Sequence, residues 1–120
     1  MSNHYFVSSL SILGFIRSIF SGFRNPEDPS GQRVKYLSNG RSGQVLYEGR
    51  GASFTMYYEF GGGNVVASIS IPDARHWENE TGLSPAYREE VLNFIGKQVV
   101  KDQTKQGSFQ IEGNWLVIYE

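Results

Sequence analysis

Acidic, basic and imidazole side chains lie together in the segment 73–82. His76 can exchange a proton near neutral pH, and Glu78 or Glu80 can act as the complementary acid or base. Arg75 can stabilise a developing anion. A set of this kind suits a small hydrolase or nuclease. The sequence therefore makes His76, Glu78, Glu80 and Arg75 the candidate catalytic residues.

The same segment also has a purely structural interpretation. A solvated loop collects polar residues without any chemistry, and Trp77 would then act as a lid on the edge of the core. No serine lies in a G-x-S-x-G turn,. The glycine run 61–63 lies between two predicted strands with no following Lys-Ser or Lys-Thr pair, which indicates a hairpin turn and not a phosphate-binding loop,. The sequence therefore favours a non-enzymatic protein, with catalysis as the alternative.

Metal and cofactor chemistry has no support in the sequence. The chain has no cysteine, and one histidine among scattered carboxylates matches no standard ligand spacing; His4 is far away along the chain,. We expect neither a metal nor a cofactor. The lack of cysteine favours a reducing compartment, and we expect a cytoplasmic protein.

Tyrosine and arginine residues on the predicted strands form a second candidate site. Aromatic rings and guanidinium groups suit a protein partner, and we expect these residues on a sheet face that the long helix leaves uncovered. Two alternatives stay open: an N-terminal helix covers this face, or the residues form ordinary cross-strand pairs. The candidates are Tyr36, Tyr47, Tyr57 and Arg50, with Arg41 beside them.

Charge is unevenly distributed along the chain. The net charge is -1, but residues 1–60 carry six Lys or Arg against four acids, and residues 61–120 carry five against eight. The small net charge disfavours a nucleic-acid binder. The acidic segment 73–90, with Asp73 and Trp77 as candidate binding residues, could attract a basic protein partner. A solvated helix start is the alternative explanation.

The hydrophobic period switches after Pro72 and switches back near Phe109. Alternating segments before Pro72 predict strands, a period of three to four residues predicts a helix over 84–101, and alternation then returns. The last two segments form either a hairpin or one bent strand. The chain of 120 residues suits one domain,. We predict an α+β domain with a mainly antiparallel sheet of about five to six strands packed by one long helix.

The predicted long helix has clear end signals. Ser84 can cap it, and Pro85 suits the first helical position. Gly96 in its interior is unfavourable for a helix, so we expect a strand to approach closely there. The predicted core stripe is Tyr87, Val91, Leu92, Phe94, Ile95 and Val99.

The first 33 residues divide into an apolar segment and a linker. In residues 5–23, apolar side chains recur every three to four positions, which predicts an amphipathic helix over 1–24,. Docking on the sheet is the favoured interpretation, ahead of a partner's groove or a membrane surface, and the segment is too short to span a membrane. Prolines, glycine and acids predict a linker over 25–33, so the α+β domain covers 34–120.

Two function classes follow from these patterns. The favoured one is a small non-enzymatic protein-interaction module, and in size and layout the chain resembles small bacterial immunity or adaptor proteins. That resemblance has no motif behind it and assigns no residue a role. The alternative is the hydrolase or nuclease at His76. Homodimerisation through an open sheet edge is compatible with either.

Overall fold

The computed structural model describes residues 31–120, which form a six-stranded antiparallel sheet with one long helix on one face. The predicted α+β class is confirmed, while the predicted helix over 1–24 and most of the linker lie outside the described residues. The strand order is β1-β2-β3-β4-β6-β5. The strands are β1 Arg33–Asn39, β2 Ser42–Gly49, β3 Ala52–Phe60, β4 Val65–Ser70, β5 Ser108–Glu112 and β6 Trp115–Tyr119.

Two α-helices lie between β4 and β5 in the chain, each preceded by a 3-10 turn. Helix α1 is Trp77–Thr81, and helix α2 is Arg88–Gln103. The 3-10 turns are Ala74–His76 and Pro85–Tyr87. No helix in residues 31–120 is long and apolar enough to cross a membrane.

Tight turns join neighbouring strands and fix their register. Arg50 and Gly51 link β2 to β3 with φ of 54° and 79°, which is the combination that a two-residue type I′ turn requires,. Gly113, with φ of 64°, begins the turn between β5 and β6, where Glu112 pairs with Trp115. The final segments are therefore a hairpin, and the bent-strand alternative is wrong.

The core lies between one sheet face and α2. Alternate residues of each strand point inward, as the strand period of two requires. Val91, Leu92, Ile95 and Val99 of α2 are buried against them. The inward strand residues include Val34, Tyr36, Val45, Tyr47, Phe54, Met56, Tyr58, Ala67, Ile69, Leu116 and Ile118.

Helix α2 approaches β5 closely at Gly96. A Cβ atom on Gly96 would lie 2.5 Å from the ring of Phe109, a distance that no carbon pair tolerates. The predicted close approach of a strand at Gly96 is confirmed.

The start of the long helix differs from the prediction in one respect. Ser84 does cap, because its Oγ accepts a hydrogen bond of 3.2 Å from the Ala86 amide. The first turn after it is 3-10, and Tyr87 is 40% exposed, so the expectation that Tyr87 belongs to the core stripe is wrong. The Tyr87 ring instead contacts Arg50, whose Cζ lies 4.5 Å from the ring centroid.

Candidate binding surface

Three candidate binding residues lie in the core. Tyr36, Tyr47 and Trp77 are each at most 2% exposed. Their polar atoms are satisfied internally: the Tyr36 hydroxyl donates to Asp102 Oδ2 at 2.7 Å, and the Tyr47 hydroxyl donates to Gln32 Oε1 at 2.7 Å. The Trp77 Nε1–H donates to the Ser84 carbonyl at 3.1 Å. The expectation that Tyr36 and Tyr47 lie on an uncovered face is therefore wrong.

The segment 73–82 is organised around helix capping. Asp73 Oδ1 accepts a hydrogen bond of 2.9 Å from the His76 amide and lies 2.8 Å from His76 Nδ1. The hydrogen bond from the His76 backbone amide lowers the pKa of Asp73 most, and the hydrogen bond with the His76 ring lowers it further. His76 therefore meets Asp73 and not the expected Glu78 or Glu80. In residues 31–120, the side chains of Glu78, Glu80 and Arg75 form no hydrogen bond or ion pair.

Buried groups hold the rest of this segment in place. Thr81 Oγ1 donates to the Trp77 carbonyl at 2.7 Å and accepts from the Leu83 amide at 3.1 Å. Arg88 donates from both Nε and Nη2 to the Pro72 carbonyl, at 3.2 and 2.9 Å. Asp73, His76 and Thr81 thus have a structural explanation.

Arg50 is also engaged within the fold. Its guanidinium forms an ion pair with Glu90 and lies over the Tyr87 ring. These contacts tie the β2–β3 turn to the start of α2. A partner that used Arg50 would compete with both contacts.

The sheet face opposite α2, named here the uncovered face, carries exposed apolar side chains. Within residues 31–120, no helix lies on this face. Tyr57 is 50% exposed, Leu37 46% and Trp115 38%. Large apolar residues exposed on one face are typical of an interaction site. Of the three tyrosine candidates, Tyr57 is the one on this face.

The uncovered face has two shallow depressions. The first is lined by residues that are neighbours across β1, β2 and β3. Leu37 on β1 pairs with Gln44 on β2, and Gln44 pairs with Tyr57 on β3. With Asn39 and Ser42 they line a shallow cavity of about 360 Å³. We name it the Leu37–Tyr57 depression.

The second depression combines carboxylates with aromatic rings. Glu59, Glu112, Trp115 and Tyr119 line a cavity of about 340 Å³, together with Val65, Ser68 and Val117. The Tyr119 hydroxyl donates to Glu112 Oε2 at 2.5 Å, and this bond raises the pKa of Tyr119. The Glu59 carboxylate has no hydrogen-bond or ion-pair partner among the described residues. We name it the Glu59–Trp115 depression.

The chemistry of the Glu59–Trp115 depression fits an organic cation. Two carboxylates attract positive charge, and the faces of Trp and Tyr rings stabilise a guanidinium or ammonium group. The depression offers fewer ligands for a metal ion, because no group of three or more His, Cys, Asp or Glu side chains converges in residues 31–120.

Electrostatics divides the uncovered face into two ends. On β1 and β2, Glu48 Oε1 lies 3.5 Å from Lys35 Nζ and 4.0 Å from Arg33 Nε. At the other end, Glu59 and Glu112 are exposed, and no Lys or Arg of residues 31–120 lines the depression between them. Arg33 and Lys35 thus lie at the β1 end of this face, and Glu59 and Glu112 line the Glu59–Trp115 depression near β6.

The sequence contained a signal for this surface that our reading missed. Residues 115–119 are apolar throughout, whereas a strand with one solvated face alternates apolar and polar residues,. Leu116 and Ile118 serve the core, so Trp115, Val117 and Tyr119 belong to the other face. An apolar run of this length indicates that both faces of β6 have contacts.

Comparison with known proteins assigns no relative. No protein-family model matches the chain, and no curated protein or solved structure matches it.

Proposed function

We propose that this protein is a non-enzymatic protein-interaction module whose uncovered face binds a basic amphipathic helix of a partner. One observation carries the proposal: exposed Leu37, Tyr57 and Trp115 share a sheet face with Glu59 and Glu112, which form no ion pair within residues 31–120.

Apolar contact supplies the driving force in this proposal. Fully burying a large apolar side chain contributes roughly 1.5–3 kcal/mol. Tyr and Trp are also the residue types that dominate binding energy at protein interfaces. Leu37, Tyr57 and Trp115 are partly exposed in the described part of the chain, so each has further surface to bury.

The spacing of the two depressions sets the size of the partner segment. Leu37 lies on β1 and Trp115 on β6, four strand spacings apart in the sheet order. At about 4.8 Å per spacing, the distance across the strands is about 19 Å. An α-helix rises about 1.5 Å per residue, so a partner helix of about 13 residues reaches both depressions.

Charge sets the orientation of the partner helix. An arginine or lysine at one end would enter the Glu59–Trp115 depression, where it meets two carboxylates and two aromatic rings,. An acidic residue at the other end would lie near Arg33 and Lys35. The sequence pointed to segment 73–90 as the contact of a basic partner; this proposal instead directs the basic end of the partner to Glu59 and Glu112.

A titration with a designed peptide tests the proposal on the full chain. The probe is an 18-residue helical peptide with leucines on one face and two arginines at one end; the control peptide carries glutamates instead. Trp77 is fully buried and Trp115 is 38% exposed, so acrylamide quenching of tryptophan fluorescence reports mainly on Trp115. We expect saturable shielding of Trp115 and at least tenfold weaker binding of the control peptide.

Variants locate the binding. Tyr57→Ser and Glu59→Gln should weaken binding of the arginine peptide, whereas Tyr87→Ser, an exposed aromatic residue outside this face, should not. Equal affinity for the two peptides, or no saturation up to about 1 mM, overturns the proposal. It is also overturned if Trp115 is already shielded in the full chain and Leu13→Asp with Ile16→Asp exposes it, because residues 5–23 would then be the occupant.

The hydrolase or nuclease is a second candidate because His76 Nδ1 lies 2.8 Å from Asp73 Oδ1, a pairing that general bases use,. Assays with nitrophenyl esters, bis-nitrophenyl phosphate and single-stranded nucleic acid test it. A hydrolase at this pair requires turnover that His76→Ala abolishes and Asp73→Asn reduces. Turnover that persists in His76→Ala excludes this site.

A further inference from the structure

The open edge of the sheet at β5 carries a groove separate from the uncovered face. The groove lies between β5 and the last turns of α2 and has a volume of about 360 Å³. Its lining residues are Lys97, Val100, Lys101, Gly107, Ser108 and Phe109.

Apolar side chains on the α2-facing side of β5 remain partly exposed at this edge. Phe109 faces α2 and is half-buried, and Ile111, two residues along the same strand face, is 40% exposed. Gly96 allows α2 to lie directly against the Phe109 ring. One further strand beside β5 would cover both apolar side chains.

Backbone groups at this edge are placed to receive such a strand. Glu112 and Trp115 flank a two-residue turn, so they form the hydrogen-bonded pair nearest the turn,. Pairs in an antiparallel ladder alternate, so the N–H and C=O groups of Phe109 and Ile111 point away from β6. In the described range, no strand pairs with β5 on that side.

Two lysines line the α2 side of the groove. Lys97 and Lys101 are exposed, one helical turn apart, and form no salt bridge with residues 31–120,. The nearby Asp102 carboxylate is engaged by the Tyr36 hydroxyl at 2.7 Å and by Gln98 Nε2 at 2.9 Å. The groove therefore offers two cations to an incoming ligand.

We propose that an extended acidic peptide of a partner protein adds to β5 as a seventh strand. Its backbone pairs with Phe109 and Ile111, which is the β-augmentation mode of peptide recognition. Alternate side chains face α2. One apolar side chain contacts Phe109 and Val100, and Asp or Glu residues two positions away on either side contact Lys97 and Lys101.

Defined peptides test this proposal on the full chain. The probe is a fluorescent seven-residue peptide, Thr-Glu-Thr-Val-Thr-Glu-Thr, and the control replaces both glutamates with lysine. A third peptide is N-methylated on alternate amides, which removes the donors that pair with β5 and keeps the side chains. We expect the probe to bind at least tenfold more tightly than either control and to protect the amides of Phe109 and Ile111 from hydrogen exchange.

Charge reversal on the protein provides a second arm. Lys97→Glu with Lys101→Glu should weaken probe binding at least tenfold, while Arg41→Glu with Arg75→Glu, two exposed positions with the same change in net charge, should leave it within about twofold,. Circular dichroism verifies that both variants fold. Tight binding of the lysine or N-methylated peptide, or protection away from β5, overturns the proposal. So does a dimer seen by sedimentation that Ile111→Lys disrupts, since a second copy would then occupy the edge.

Discussion

The Tyr119 hydroxyl donates a hydrogen bond of 2.5 Å to Glu112 Oε2, and this bond joins an aromatic ring of β6 to a carboxylate of β5 on the uncovered face. The pair fixes the position of one of the two carboxylates that we assign to cation binding. The bond also shifts the pKa of Tyr119, which can be measured without knowledge of any partner.

Replacing Glu112 should lower the pKa of Tyr119. The hydrogen bond and the negative charge of Glu112 disfavour the phenolate, so they raise the pKa of Tyr119,. Glu112→Gln removes the charge, and the pKa should move back toward the ordinary value of tyrosine. The measurement is a pH titration of the labelled Tyr119 ring by NMR. Glu59→Gln is the control, and an equal response to both substitutions would contradict the pairing.

Substitution of the two adjacent tyrosines of β3 should change stability by very different amounts. Tyr57 is 50% exposed on the uncovered face, whereas Tyr58 is fully buried. Tyr57→Ala should change the free energy of unfolding by less than about 0.5 kcal/mol, and Tyr58→Ala should lower it by about 3 kcal/mol. Urea denaturation measures both. A large loss in Tyr57→Ala would mean that its ring contributes to the folded domain, which contradicts a free binding surface.

Gly96→Leu should destabilise the domain by about 1–3 kcal/mol through overpacking against Phe109. The added side chain starts at a Cβ position 2.5 Å from the Phe109 ring. Phe109→Ala opens that space, so the double variant should lose less stability than the sum of the single variants. Lys97→Leu, at an exposed position on the same helix, is the control. An additive result in the double-mutant cycle would rule out a steric cause.

Asp102 should make stability depend on pH. Burial is the largest effect on its carboxyl and raises its pKa, although hydrogen bonds from Tyr36 and Gln98 oppose this. A raised folded-state pKa means that the folded protein holds the proton more tightly than the unfolded chain. The stability contribution is therefore full below the unfolded pKa of about 3.9 and is lost as pH rises through the raised folded value.

Comparing Asp102→Asn with the parent protein isolates this contribution. The variant has no titrating group at position 102. Its free energy of unfolding should therefore rise relative to that of the parent as pH rises from 4 to 7. Urea denaturation at several pH values provides the comparison. A variant-minus-parent free energy that stays constant, or that falls as pH rises, contradicts the raised pKa.

Alternation and end signals were sufficient to predict the main elements. Phe54, Met56 and Tyr58 alternate with polar residues, and they face the core as the pattern requires. Ser84 and Gly96 were interpreted correctly because each has a local physical reason, a cap in one case and a close contact in the other.

The candidate binding residues were harder to predict because tyrosine is amphipathic. Tyr36 and Tyr47 lie in the core with their hydroxyls bonded to Asp102 and Gln32, and these partners are distant in sequence or outside the strand pattern,. Trp77 begins a five-residue helix, which is too short to be recognised from the helix propensities of its residues,. Burial of the Trp77 ring in the core stabilises this helix. Trp115 was not among the candidates because, in a strand that is apolar throughout, alternation does not show which residues face the core,.

Photo-crosslinking from position 57 in the source cell tests the central claim most directly. A benzoylphenylalanine at Tyr57 should capture one protein, through a segment of about 13 residues with apolar residues on one face and an arginine or lysine at one end. Glu59→Lys with Glu112→Lys should abolish that crosslink, and the same probe at Tyr87 should not form it. A crosslink to residues 5–23 or to a second copy, or one that survives the charge reversal, would contradict the claim that this face binds a basic partner helix.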